Sequence, residues 1–263
     1  MGYEFINVAN ADHVTTVTIN RPEVMNALHP PACREMNEAF NQFAADPEAW
    51  VAIVTGTGER AFCAGNDLRW QAENGLDALR AGLDSLNGGF GGLTRRFDCF
   101  KPIIAAVNGL ALGGGFEIAL ACDIILASEK AFFGLPEPLV GMVAGQGGIH
   151  RLPRHIPYHL AMGLMLTAER LPAVKAAELG LVNEVVPAEQ LPQAAADWAA
   201  RVMKGSPLSI RATKEAATVG LTQSLEEAIA TIYPGIDALR QSADCVEGPL
   251  AFAEKRKPVW TGR

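Results

Sequence analysis

Asn108-Gly109-Leu110-Ala111-Leu112-Gly113-Gly114-Gly115-Phe116-Glu117-Ile118-Ala119-Leu120-Ala121 joins an apolar strand to a helix-forming run across three consecutive glycines. Residues 102–107 (PIIAAV) ahead of it are apolar enough for a strand buried on both faces, stopped by Asn108-Gly109. Residues 123–127 (DIILA) after it read as the next strand. Glycines let the backbone come close to a ligand, and the N–H groups of a first helical turn lack intrahelical acceptors, so such a turn favours an anionic oxygen. Glu117 follows Gly114 by three residues, one turn along on the same face. Two readings stay open for this stretch by itself. It places a carboxylate beside an oxyanion-stabilising amide, or its glycines serve close packing while Glu117 complements the helix dipole.

Outward from this stretch, strand-like and helix-like patterns alternate. Residues 14–19 (VTTVTI) and 50–55 (WVAIVT) read as strands, and residues 31–45 place Met36, Ala39, Phe40 and Phe43 at helical steps. The class is α/β, without a visible sequence repeat. Residues 71–92 hold six glycines between Gly75 and Gly92, which predicts a mobile loop or a broken helix. Beyond about Leu152 the pattern turns helical: helices are expected over 173–179, 190–204, 208–218 and 224–239, with a short strand over 181–186.

Two more segments offer chemistry. In Phe133-Gly134-Leu135-Pro136-Glu137-Pro138-Leu139-Val140-Gly141 a carboxylate stands between two prolines; Pro138 biases Glu137 away from helical dihedrals and stiffens it for acid or base work, unless this is a surface turn. Ala61-Phe62-Cys63-Ala64-Gly65-Asn66-Asp67-Leu68 is a small-residue loop that admits a ligand carbonyl near Asn66, or simply a loop.

Composition removes several classes. The chain has 263 residues, a formal charge of −7 and 49% hydrophobic residues, which excludes a disordered or collagen-like protein. No basic stripe with interleaved aromatics suits nucleic acid. Five cysteines without CxxC spacing read as reduced thiols rather than disulfides or a zinc site. The start shows no secretory pattern and no apolar run has membrane-spanning length, so the expected location is the cytoplasm. Gly56-Thr57-Gly58 is followed by Phe62-Cys63 instead of a helix and reads as a turn, not a dinucleotide fingerprint. His150, His155 and His159 are interrupted by Pro153 and Pro157 and lack a carboxylate cluster, so no metal site is expected.

FCAGNDL, KPIIAAVNGLALGGGFEIALACDIILA and FGLPEPLVGMVAGQGGIHRLP, in this order and spacing and with the C-terminal EGPLAFAEKRKPVWTGR, resemble the crotonase family, the enoyl-CoA hydratase/isomerase group, over nearly the whole chain. The resemblance implies a spiral of repeated ββα units, with residues 1–200 as the α/β core that carries the thioester site. Residues 201–263 would form a helical region for oligomerisation, as a homotrimer or a dimer of trimers, and for CoA binding. It puts the oxyanion-hole donors at the Asn66 and Gly114 N–H groups and the two catalytic glutamates at Glu117 and Glu137. Ionised Glu117 would take a proton from the water attacking C3, protonated Glu137 would deliver one to C2, and Gly145 would place the water through its backbone. The Asn66 amide, standing where many hydratases carry alanine, would touch substrate as well. CoA would contact Ala64, Asp67, Leu68, Lys255 and Lys257, and Trp70, Phe90, Met142 and Phe252 would belong to the acyl pocket, with Phe97 and Ile149 as further aromatic and aliphatic candidates. No cofactor is implied, since CoA is part of the substrate; nucleic acid and membrane are not expected as partners.

Within the family the paired glutamates favour a hydratase or dehydratase. Double-bond isomerases commonly manage with one acid, and the feruloyl-type enzymes use tyrosines, whereas Tyr3, Tyr158 and Tyr233 lie outside these motifs. LPEPLVG and the tail resemble the carnitinyl-CoA dehydratase branch, a rival to the fatty-acid hydratase. A non-catalytic binding protein, including an RNA-binding one, is the remote alternative, though the basic helix expected of it is missing. Residues 254–263 carry four cations against one carboxylate, a net +3, leaving −10 on residues 1–253, so the acidic total conceals a cationic tail that could meet CoA phosphates.

Overall fold

The computed structural model describes residues 2–263. The chain opens with a hairpin, β1 (Ile6–Ala11) and β2 (Val14–Ile19), followed by α1 (Pro30–Ala45), β3 (Val51–Gly56) and β4 (Ala61–Cys63). Next come α2 (Leu68–Asn74), α3 (Leu76–Asp84), β5 (Ile103–Val107), β6 (Leu110–Leu112) and α4 (Gly114–Leu120). β7 (Ile124–Ser128), β8 (Phe132–Gly134), α5 (Gly148–His155), α6 (Tyr158–Thr167), β9 (Leu171–Pro172), α7 (Ala173–Glu178) and β10 (Glu184–Val186) complete the core. α8 (Leu191–Val202), α9 (Pro207–Gly220), α10 (Leu225–Ala230), α11 (Pro234–Arg240) and α12 (Ala243–Ala253) follow.

The strands form two sheets, ordered β1-β2-β3-β5-β7-β10 and β4-β6-β8-β9. β3 and β4, β5 and β6, β7 and β8 each give one strand to either sheet before the chain turns helical, so the architecture repeats where the sequence does not. The period of two along the central strands explains the layers. Ala52, Val54, Ile103, Ala105 and Val107 point into the main core with Phe40, Phe62, Phe116 and Phe133. Val51, Ile53, Ile104 and Ala106 point the other way, against Leu191, Ala195 and Ala199 of α8. Strands covered on both faces need the nearly unbroken apolar runs read from the sequence.

Several expectations are corrected. β1 was not expected: only Ile6 is buried in it, so the strand leaves little apolar pattern and is held by antiparallel pairing with β2. Residues 71–92 resolve towards the broken helix, with α2 and α3 meeting at Gly75 (φ 87°), which caps one and starts the other. The strand over 181–186 shrinks to its last three residues, because the Leu181 N–H still bonds back to Ala176 at the end of α7. The helix over 224–239 splits at Pro234, which opens α11. Pro153 lies inside α5 rather than interrupting it, while Pro157 separates α5 from α6. No helix among the described residues is long and apolar enough to cross a membrane.

Candidate active site

Gly113 ends β6 with φ 53° and ψ −126°, a conformation open to glycine, and its N–H bonds the Gly134 carbonyl at 2.9 Å. A side chain there would also lie 3.0 Å from Glu137 Oε1. A Cβ on Gly115 would fall 2.0 Å from the Cys63 carbonyl, and one on Gly65 2.9 Å from the Gly114 nitrogen. These close approaches bring the loop after β4 against the start of α4. They place Asn66 beside Gly114, and among the described residues neither backbone N–H has a backbone acceptor. The glycines therefore pack closely, and the close packing leaves two amide donors without a backbone acceptor.

Asn66 and Gly114 both line a cavity of about 210 Å³, together with Ala64, Leu68, Phe90, Glu117, Glu137, Met142 and Gly145. Leu76, Leu79 and Leu83 of α3, with Val140 and Val143, form its apolar wall. Glu117 is buried and accepts a hydrogen bond from the Gly148 N–H at 2.8 Å. Burial pushes its carboxyl up to about 7; the Gly148 N–H opposes that rise and the Glu137 charge adds to it. Glu137 opens a 3-10 turn, residues Glu137–Val140, with Pro138 in the tolerated second position, so the expected bias away from helical dihedrals is overridden. Burial raises its pKa too, and its Oε2 is buried without a partner. The Asn66 side chain donates to Gln71 Oε1 at 2.5 Å, and its own Oδ1 is buried and unpaired. Unpartnered buried oxygens beside free amides are costly unless a ligand or water completes them.

Other expected residues lie elsewhere. Asp67 caps α2 through the Trp70 N–H and pairs with Arg21 at 3.0 Å in a largely buried bridge, so its side chain is already engaged. Trp70 packs edge-on to His29, with centroids 6.2 Å apart, and does not line the cavity. Phe97 and Ile149 are exposed and absent from its lining. Phe252 is 87% exposed near the end of α12, and Lys255 and Lys257 are exposed just beyond it; none of the three reaches the cavity. Gly145 lines the cavity, and its N–H donates to the Val143 carbonyl at 2.7 Å. Sequence reasoning missed Gly148, Gln146, Gln71 and the α3 leucines. Gly148 acts through an N–H common to nearly all residues, and the leucines come together only once α3 forms.

A larger groove of about 790 Å³ lies between α8 and the six-stranded sheet, lined mainly by alanines and aliphatic residues and holding none of the candidate residues. Among the described residues no group of three or more His, Cys, Asp or Glu is placed to hold a metal ion.

Residues 9–263 match the family described as Enoyl-CoA hydratase/isomerase. The carnitinyl-CoA dehydratase of Salmonella enteritidis PT4 is 42% identical over 264 residues, covering 99% of each chain. The crystal structure of an enoyl-CoA hydratase from Mycobacterium tuberculosis H37Rv superposes with a TM-score of 0.90 at 39% identity, covering 98% of this chain and 99% of that one. One from Bacillus anthracis reaches 0.92 at 34% identity, covering 99% and 100%. With the crotonase architecture and this full-length match, the chain belongs to the enoyl-CoA hydratase/isomerase family.

Proposed function

We propose that the protein reversibly hydrates the 2,3-double bond of an enoyl-CoA thioester. The observation that carries this is the meeting of one buried carboxyl group (Glu117), one half-buried carboxyl group (Glu137) and two unpaired backbone N–H donors in one small cavity. The thioester oxygen accepts from the Asn66 and Gly114 N–H groups. Ionised Glu117 takes a proton from water as the water oxygen bonds to C3, and the π electrons move onto the thioester oxygen as an enolate. The enolate collapses and C2 takes the proton of Glu137; dehydration runs the same steps backwards. Donors waiting where charge develops are worth roughly 10²- to 10³-fold each in rate. Glu117 suits the base because amide donors favour its charged form, and Glu137 suits the acid because its free oxygen has no donor to hold a charge. No cofactor is called for, since CoA arrives with the substrate.

For the acyl group, we infer a short, uncharged chain. The wall is aliphatic, Phe90 is the one aromatic lining residue, and the charged lining residues are the two glutamates that the chemistry uses. A quaternary ammonium acyl group, which the carnitinyl-CoA dehydratase relatives bring into view, is better served by several aromatic faces. Ala64 and Leu68 are suited to meet CoA near the cavity mouth, and Lys255 and Lys257 to meet its phosphates from a neighbouring subunit. Exposed Leu221, Leu225, Ile229 and Ile232 on and around α9 and α10 support self-association through residues 201–263. The five unpaired cysteines support a cytoplasmic setting.

The test follows enoyl-thioester absorbance: its loss with crotonyl-CoA, crotonobetainyl-CoA and longer straight-chain 2-enoyl-CoAs reports hydration, and its gain with a 3-enoyl-CoA reports double-bond isomerisation. Crotonyl-CoA is expected to have the highest kcat/KM; preference for crotonobetainyl-CoA overturns the acyl assignment, and no turnover with any 2-enoyl-CoA overturns the reaction.

A further inference from the structure

Arg151 lies in α5, three residues beyond the Gly148 whose N–H meets Glu117. Its Nη2 donates to the Thr94 carbonyl at 2.9 Å and its Nη1 to the Gln146 carbonyl at 3.4 Å. Thr94 follows the turn that carries Phe90, and Gln146 stands on the loop entering α5; Phe90 and Gln146 both line the cavity. The Thr94 hydroxyl approaches Gln146 Oε1 at 3.5 Å, a weaker tie between the same segments. A Cβ on Gly147 would fall 2.1 Å from Arg151 Nη1, so the guanidinium lies directly on the turn of this loop. Phe97 shields it, with Cζ 5.8 Å from the ring centre, which gives that exposed aromatic a place in the site's support rather than its acyl wall.

We propose that Arg151 is a positioning residue for Glu117: it clamps loop 146–148 to Thr94, aims the Gly148 N–H at the carboxylate and stands a fixed positive charge behind it. The inference deepens the hydratase reading and rests on Glu117 as its base. The groups that bear on Glu117 are few. Glu137 opposes its ionisation, whereas Arg151 and the Gly148 and Gln146 backbone groups favour it. Arg151 itself neighbours Cys122, whose thiol burial keeps neutral, and His155, whose pKa is lowered by burial and by the Arg151 charge. The forked guanidinium bridges two carbonyls at once, which a lysine ammonium cannot do with the same geometry.

The test is an infrared titration of the full chain, with the Glu117 carboxyl band identified by its loss in Glu117→Gln. Arg151→Gln is expected to raise the Glu117 midpoint by roughly 0.5–1 in pH, while Arg151→Lys keeps it near the wild-type value. With crotonyl-CoA at neutral pH, Arg151→Gln is expected to lower kcat about tenfold and move KM less than threefold, since the acyl wall is untouched. Arg151→Lys is expected to lower kcat about threefold through loss of the fork. An unmoved midpoint in folded Arg151→Gln, or equal midpoint shifts in both variants, overturns the proposal. If Arg151→Gln does not fold, a wild-type kcat in Arg151→Lys overturns it instead. The titration reads Glu117 with or without turnover, so a wild type inactive on enoyl-CoAs defeats the hydratase reading separately.

Discussion

The two sides of the cavity are built on opposite terms. At the α4 corner the geometry belongs to the backbone: added methyl groups would meet the Phe90 ring at Gly114 and the Cys63 carbonyl at Gly115. Across the cavity, α2 and α3 present side chains, Leu76 is 45% exposed, and a Cβ at Gly75 would meet nothing within 4 Å. The corner has no slack, which fits the task proposed for it: placing two amides and a carboxylate around one oxygen and one water tolerates errors of about an ångström or less. The α3 wall has slack because filling space against an acyl chain needs area, not angles. On the proposed function, reaction type is written in the corner and substrate choice in the wall, and substitutions on either side should separate kcat from KM.

The largest effect is expected at the glutamates. Glu117→Gln and Glu137→Gln should each lower kcat for crotonyl-CoA by roughly 10²- to 10⁴-fold with the fold intact, checked by circular dichroism and steady-state kinetics. Near-normal turnover in either would break the contrast at its root. The wild type carries a pH signature of the same corner. As the proposed base Glu117 must be ionised, and burial pushes its carboxyl up to about 7, so kcat/KM should fall about tenfold per pH unit below that value. The sign for stability is the reverse. A carboxyl raised from 4.5 to about 7 holds its proton more tightly when folded, so its favourable contribution is present below about 4.5 and is lost as pH rises through 7. Urea midpoints of wild type and Glu117→Gln across that range test it.

An intermediate effect is expected at Gly114. Gly114→Ala puts a methyl 2.5 Å from the Phe90 ring, and the ring or the amide must yield. A loss of roughly 10²-fold in kcat, with modest change in KM, is the expectation from single-turnover and steady-state rates. The smallest effect belongs to the wall. Leu76→Ala should raise KM about fivefold for an enoyl-CoA long enough to touch α3 and leave kcat unchanged, in keeping with about 1 kcal/mol of lost apolar contact. A fall in kcat instead would show that the wall also positions the reacting atoms.

The corner was legible in the sequence because its constraints fall on residue type. The pairing of φ 53° with ψ −126° at Gly113, beside the Glu137 carboxylate, calls for glycine, and a glutamate between two prolines is a conspicuous arrangement. The wall was not legible, since Leu76, Leu79 and Leu83 are common helix residues whose glycine-rich surroundings masked their spacing. The partners of Asp67 were hidden for another reason. Its place in a motif suggested a ligand contact, but folding brings Arg21 from 46 residues earlier and turns it into a helix cap and ion pair. Gly148 has no side chain to betray the carboxylate its amide serves.

Asn66 and Gly114 follow neighbouring parallel strands of the smaller sheet, β4 and β6, which pair Ala61 with Leu110 and Cys63 with Ala111. The proposed oxyanion hole therefore does not exist in any local stretch of chain; it comes into being when two strands about fifty residues apart close their ladder. Such long-range pairing is slow to form relative to helices. Recovery of hydratase activity during refolding should accordingly lag helical circular dichroism and report sheet closure, making the active site a clock for the last topological step of its own assembly.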